Sequence, residues 1–500
     1  MNLRGYILTS LVFLAAGICP AATHYVVQTN SLAADPYTNW AKAGTNIIDV
    51  VNAAMTNTED RMVWVSNGIY LLTNQVYLTN SITVRSVNGK GATFIDGHYP
   101  EYTNRCFLIA SNAVVLGFTI SNGHAMLAEH PEHLYDGGGG VYIRASGQLR
   151  DSRVCQNFAK IVTKTLYGGG GVQIYGAGGV VSNCDIEQNT VTNDQGGGGV
   201  ALYNGLLVDS RVKQNTGTNC SYGGYGCKIY NGTVLRTSMV SNGFITCNAG
   251  AKVLDSTIEQ GDCSSGMGCG MVSNCVFHNI ASALNYTCIY GYWDGGYASE
   301  SPLTIVNCTL ISNLVSGIVV YPQNSKIRNC RIALGKVSTS IASGISIYAH
   351  GSGSEIENCT VVFNTNSSSW WAGGGIRFHA GTTNVTVRNC IVQYNYGAAG
   401  SVPTNFTCDS LTNAVSYSCI GGTNSLGENS KGGNITNDPS FSDASYRLSA
   451  QSPCVNSGIN QNWMFNGIDL DGNRRLDQLN GRVDMGAYEF IHTITLISGH

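Results

Sequence analysis

Along most of the chain, apolar and polar residues alternate in short runs, and turn-forming residues break those runs at recurring intervals. Alternation with period 2 places successive side chains on opposite faces of a strand. Three neighbouring segments line up closely: GGGGVYIRASGQLRDSRVCQN from Gly137, GGGGVQIYGAGGVVSNCDIEQN from Gly168 and GGGGVALYNGLLVDSRVKQN from Gly196. A shorter core then recurs as Asp255-Ser256-Thr257-Ile258, Asn274-Cys275-Val276-Phe277, Asn307-Cys308-Thr309-Leu310, Asn329-Cys330-Arg331-Ile332, Asn358-Cys359-Thr360-Val361 and Asn389-Cys390-Ile391-Val392. From Asp151 onward, successive cores lie 32, 26, 28, 18, 19, 33, 22, 29 and 31 residues apart. A repeat of this length, alternating inside each unit, predicts a solenoid of short stacked strands, because one turn alone cannot bury its apolar face.

Stacking fixes the faces. Cys184, Cys275, Cys308, Cys330, Cys359, Cys390 and Cys419 are expected in one interior column, with an aliphatic residue two positions on pointing the same way. These thiols read as small buried hydrophobes, and the Asn or Asp before each as a ladder at a bend. Cys220, Cys227, Cys247, Cys263, Cys269 and Cys288 lie off the column and are candidates for disulfides whose pairing stays open. The expected architecture is about eleven or twelve coils over residues 61–425, a rod on the order of 55 Å. Ahead of it, residues 22–60 form an N-terminal cap whose helix spans Asn46 to Ala54, with Ile47, Val50, Val51 and Ala54 on its apolar side. An irregular C-terminal cap spans 426–490, and a tail follows at 491–500.

Residues 1–21 read as a signal peptide: Arg4, then the apolar stretch Tyr6 to Ala16, then Cys19-Pro20-Ala21-Ala22. Ile18 ahead of Cys19 argues against lipidation there. No stretch is long and apolar enough for a membrane span, so a secreted or cell-surface protein is expected, acting as a monomer. Charged residues are only 11% of the chain, against about 25% in an average protein, and the net charge is −3. Nucleic-acid binding is excluded by the lack of a basic face. With 43% hydrophobic residues the chain still carries a large core. The Gly runs at 137–140, 168–171 and 196–199 are not phosphate loops, since no helix follows them and they recur with the coil period.

Val63-Trp64-Val65-Ser66-Asn67-Gly68-Ile69-Tyr70, Phe94-Ile95-Asp96-Gly97 and Gly117-Phe118-Thr119-Ile120-Ser121-Asn122-Gly123, following the short helix, resemble right-handed parallel β-helix proteins of the pectate-lyase-like superfamily. That resemblance implies an all-β, single-stranded right-handed parallel β-helix. Near the end, Asn437-Asp438-Pro439-Ser440-Phe441, Tyr446-Arg447-Leu448, Ser452-Pro453-Cys454-Val455-Asn456-Ser457-Gly458, Asp469-Leu470-Asp471-Gly472-Asn473-Arg474 and Val483-Asp484-Met485-Gly486-Ala487-Tyr488-Glu489 resemble the closing segment of bacterial choice-of-anchor Q proteins. The superfamily holds lyases, hydrolases, epimerases and adhesin-like proteins, so the fold does not settle the function. The clustered Asp with Gly-His-Gly of polygalacturonases is missing, as are the Asp-His and Arg-Pro patterns of pectate lyases.

In so uncharged a chain, clustered charges carry information. The alignment sets Arg153, Asp185 and Arg211 at one outward position of successive coils, with Glu187 and Lys213 two residues further. One reading is a surface ion-pair ladder. The other is a lyase site for uronate-containing extracellular polysaccharide. There Asp185 and Glu187 would hold Ca²⁺, the ion would acidify the sugar's α-proton, and Lys213 or Arg211 would abstract it, with Arg153 alongside. Neighbouring loops holding His124, His130, His133, Lys164 and Tyr167, and the aromatic Trp293, are expected to contact the sugar. A non-catalytic adhesin or surface scaffold stays open as the rival. The tail acids Asp469, Asp471 and Asp477 lack the EF-hand's Gly and closing Glu, which favours a structural role.

Overall fold

A computed structural model describes residues 22–57, 61–127, 137–161, 168–192, 196–218, 225–242, 244–248, 250–259, 270–281, 287–291, 301–368, 373–397, 402–409, 412–422, 426–477 and 479–492. Strands of two to five residues stack in parallel into long walls. The first wall has 15 strands, from Ala22–Val26 to Ala414–Ser416. The second has 14, from Gly68–Leu71 to Cys419–Ile420. The third is split into sheets of seven and five strands, and two four-stranded sheets fill the corner between the second and third walls. Only Tyr396–Gly397 and Val402–Pro403 pair antiparallel among the described strands. From Arg61 on, that hairpin apart, chain-adjacent strands belong to different sheets, and each wall is built from strands one coil apart. This is the connectivity of a parallel β-helix.

Fifteen strands in the first wall exceed the eleven or twelve coils expected. The recurring core starts at Asp151-Ser152, and the coils before it turn differently at that bend, one of them on Gly117 with φ of 83°. Fourteen steps of about 4.8 Å give a rod of about 67 Å. The segment 22–60 already supplies the first strand, Ala22–Val26, paired in register with Arg61–Val65. Helix α1 (Ile47–Met55) is capped by the Asn46 side chain, which accepts from the Ile48 amide. It buries Ile47, Val50, Val51 and Ala54 against the first coil, as the spacing predicts.

Two bends flank the second wall, and both demand a left-handed backbone. At the first bend stand Asp151, Asn183, Asp209, Asp255, Asn274, Asn307, Asn329, Asn358 and Asn389, all with φ of 48° to 55°. Asn and Asp tolerate that region better than other non-glycine residues. Their side chains also form an outer ladder: Asn274 Nδ2 donates to Asp255 Oδ1 at 2.8 Å, Asn307 to Asn274 at 3.0 Å and Asn329 to Asn307 at 3.0 Å. At the second bend an inward Asn follows the left-handed residue. Asn157, Asn189, Asn215 and Asn242 are buried; the Oδ1 of Asn189, Asn215 and Asn242 each accepts from the backbone and side-chain amides of the Asn one coil before, and that of Asn157 from the Gly123 amide. Their Nδ2 groups occupy strand carbonyls facing the interior, such as Val154 O at 2.9 Å. Without them those carbonyls would be buried and unpaired.

The thiol column is real. Cys184, Cys275, Cys308, Cys330, Cys359 and Cys390 are buried and free, and their Sγ atoms donate to carbonyls at the ends of first-wall strands. Cys419 is a correction. It pairs with Ile391, not Cys390, and Ser418 takes the column position, its Oγ accepting the Cys390 amide. The last core carries Tyr417 at the bend, so the thiol falls one residue late and faces outward beside Cys454. Of the off-column cysteines, Cys227, Cys247 and Cys288 are buried, and Cys227 is free; Cys220, Cys263 and Cys269 lie outside the described residues.

Candidate functional site

On the second wall the outward positions form two files. The first reads Thr119, Arg153, Asp185, Arg211, Ser238, Thr257, Val276, Thr309, Arg331, Thr360, Ile391. The second reads Ser121, Cys155, Glu187, Lys213, Val240, Glu259, His278, Ile311, Ala333, Val362, Gln393. Arg153, Asp185 and Arg211 are therefore direct cross-strand neighbours, as are Glu187 and Lys213. The sequence alignment placed all five correctly.

Inside this cluster the carboxylates are already engaged. Lys90 Nζ donates to Asp185 Oδ2 at 2.6 Å, and Arg153 Nε donates to Glu187 Oε1 at 2.6 Å. Their side chains are between 22% and 44% exposed, so each pair adds at most about 1 kcal/mol. The Glu187 carboxylate holds the Arg153 guanidinium even more firmly protonated. Arg211 and Lys213 make no ion pair among the described residues. Lys90, Arg153, Arg211 and Lys213 against Asp185 and Glu187 leave the cluster with two uncompensated positive charges. One bend away, Arg236 grips Asp209 through two hydrogen bonds of 2.6 and 2.8 Å, which lowers that carboxyl's pKa.

Lys90 was not found from the sequence. It sits on a turn 95 residues before Asp185, outside the coil register that located the others. His124, expected in a polar loop, instead begins a strand, His124–Leu127, and is buried. Its ring lies 4.1 Å from Tyr99 and 4.8 Å from Phe158, and burial, helped by Lys160, lowers its pKa. His130, His133, Lys164, Tyr167 and Trp293 lie outside the described residues.

A calcium ion needs six to eight oxygen ligands. Asp185 and Glu187 supply two carboxylates, both engaged by cations. No group of three or more His, Cys, Asp or Glu is placed to hold a metal among the described residues. These residues do not fit a calcium site, and no chemistry is routed through one. The tail acids behave as the spacing argued: Asp469 Oδ1 accepts the amides of Asp471 and Asn473, and its Oδ2 that of Glu489.

The second wall does not stay open to its end. The C-terminal segment folds back along it, and Tyr446, Leu448, Cys454 and Met485 pack on Ala333, Val362, Ile391 and Cys419. Arg475, fully buried, fastens the segment to the rod. Its Nε and Nη2 donate to Asn329 Oδ1, and its Nη1 to Glu489 Oε1 at 2.5 Å. Asn358 and Asn389 donate to Asp484 O and Ile459 O, so the outer ladder becomes the docking strip. On the adjoining first wall, Trp463 Nε1 donates to buried Glu357, which also meets Arg328 at 2.7 Å and Arg388 at 3.3 Å.

Residues 263–438 match the family described as right handed beta helix region. Together with the stacked parallel walls this defines the class: the chain is a right-handed parallel β-helix. No curated protein matches it. Among solved structures it is similar to the Dettilon tailspike protein gp208, at 12% identity over 78% of this chain and 69% of that one, with a TM-score of 0.39. A PL6 alginate lyase in complex with a trisaccharide shows 14% identity over 86% and 91% of the two chains, TM-score 0.34. The tailspike gp49 of Acinetobacter baumannii bacteriophage Fri1, a capsular polysaccharide depolymerase, shows 10% identity over 83% and 62%, TM-score 0.28. At these values none of them assigns a residue or a reaction to this chain. Among the described residues no helix is long and apolar enough to cross a membrane.

Proposed function

We propose that the protein engages extracellular polysaccharide rich in uronate along the open part of its second wall, with Arg211 and Lys213 as the anchoring cations. The supporting observation is the imbalance of the cluster: four cations face two carboxylates, and the two cations without an ion pair among the described residues lie on one strand, Arg211–Lys213. A uronate carboxylate placed there forms charge-assisted hydrogen bonds, and the neutral rod around it leaves little to compete. Lys90 and Arg153 hold Asp185 and Glu187 in place, so the acidic groups do not swing toward the bound anion.

The arrangement also suits cleavage by β-elimination. The Arg211 guanidinium paired to the carboxylate lowers the barrier to removing the proton on the adjacent carbon; a Lys213 amine that takes up this proton no longer counts as an anchoring cation, and the departing glycosidic oxygen takes its proton from water. Titrating polyuronate oligosaccharides into the wild type and the Arg211→Gln/Lys213→Gln double variant tests the binding reading. Binding should weaken with salt and fall on the order of tenfold or more in the variant. Equal affinity in both proteins would refute it. Ultraviolet absorbance of unsaturated uronate ends then separates lyase from adhesin: binding without product leaves the adhesin.

A further inference from the structure

Where the returning C-terminal segment stops covering the second wall, its edge and the wall enclose a groove of about 540 Å³. Val276, Thr309 and Arg331 of the first outward file form its floor, and Arg447, Leu470 and Asp471 of the returning segment form its bank. Arg447 is satisfied: it bonds Asp471 and Asp443 and lies 5.2 Å from the Tyr488 ring. Arg331 is not. Its Nη1 donates to Ser445 O at 3.2 Å, its Nε is buried without a hydrogen-bond partner, and it forms no ion pair among the described residues. The buried N–H left unpaired costs about 1–3 kcal/mol or more, and Nη2, also without a hydrogen-bond partner among the described residues, is the group an anionic ligand in the groove reaches.

From the geometry we infer that this groove is a second subsite for an acidic sugar, occupied by the same polysaccharide chain that lies on Arg211 and Lys213. It rests on the function proposed above and extends it. Arg211 and Arg331 share one outward file and are separated by five register steps, through Ser238, Thr257, Val276 and Thr309. Five steps of about 4.8 Å make a straight span of about 24 Å, which an oligosaccharide of several residues covers and a disaccharide does not. Arg331 takes one uronate carboxylate through Nη2, which has no hydrogen-bond partner among the described residues. Val276, 37% exposed on the floor, meets an apolar sugar face. The returning segment thereby sets the end of the binding track.

Calorimetric titration with galacturonate disaccharide and octasaccharide tests this on four proteins: wild type, Arg331→Gln, Val276→Trp, and Arg211→Gln/Lys213→Gln. Val276→Trp fills the groove without touching the bonds of the returning segment, so it separates blockage from any loosening caused by Arg331→Gln. Wild type should bind the octasaccharide at least tenfold tighter than the disaccharide, and both groove variants should erase that gain. An octasaccharide affinity untouched by both groove variants but lowered by the double variant overturns the groove and leaves the wall reading standing. Loss in the groove variants alone overturns the wall reading. No binding by wild type refutes both.

Discussion

The second wall is one sheet with two characters. From Arg153 to His278 its outward positions carry Arg153, Asp185, Glu187, Arg211, Lys213, Glu259 and His278, and the face is open. From Ala333 to Cys419 the same positions hold Ala333, Thr360, Val362, Ile391, Gln393 and Cys419, each at most 5% exposed beneath the C-terminal segment and none of them charged. Backbone, register and bends are alike in both stretches. What differs is the covering segment, and the outward residues have the composition their surroundings require: uncharged where water is excluded, with charges only where it is not. The open stretch is thus free to carry binding chemistry because it contributes little to holding the rod together.

The sharpest break in this contrast is at Arg475. Replacing it with Leu strands Glu489 and Asn329 in a dry seam, at about 3–5 kcal/mol. Hydrogen exchange should then show residues 440–490 opening while the amides of coils 137–259 keep their protection. A paired substitution comes next. Val362→Lys buries an unpartnered ammonium under the segment and should cost about 3 kcal/mol. Val240→Lys, at the equivalent outward position of the open stretch, should stay within about 0.5 kcal/mol. Denaturant melts of the two side by side check whether covering, rather than strand position, decides.

A third effect follows from acidity. Burial pushes Glu489 to about 8 and Asp484 to about 6, even though Arg475 pulls both down. Both folded values lie above the unfolded ones near 4, so the folded chain retains extra protons between those limits. The stability they contribute is complete below about pH 4 and is lost as pH rises through 6 and 8. The covered seam should loosen by a few kcal/mol, about 5 at most, between pH 5 and pH 9, read as faster exchange at the amides of 483–490 after correction for intrinsic rates. The smallest change is Lys90→Ala. It frees Asp185 on the open stretch and should cost no more than about 1 kcal/mol in a denaturant melt.

Register was legible from the sequence because neighbours in a solenoid are one repeat apart. That placed Arg153, Asp185, Arg211, Glu187 and Lys213 correctly, along with six of the seven column thiols. Cys419 failed because its coil substitutes Tyr417 and Ser418 at the bend, which slides the thiol by one position. The coil count fell short because the early coils turn on residues such as Gly117 and carry no Asn-Cys signal. Lys90 and Arg475 were invisible for a different reason. They reach 95 and 146 residues along the chain to Asp185 and Asn329, and repeat spacing predicts only contacts between adjacent coils. The loss of charged residues at outward positions after Arg331 was in the sequence all along, and it marks the footprint of the returning segment.

The outer Asn ladder makes every bend between Asp255 and Asn389 a near copy of the next, yet only the later rungs serve as anchorage. Duplicating one whole coil among the early rungs would lengthen the molecule and leave all downstream neighbours paired as before. The same duplication between Asn329 and Asn389 would shift Asn389 one rung away from Ile459 while Arg475 stayed on Asn329, and the fastening would fail. Growth by tandem copying is therefore tolerated on one side of the seam and forbidden on the other, so the length of the exposed track is the dimension this architecture leaves free to evolve.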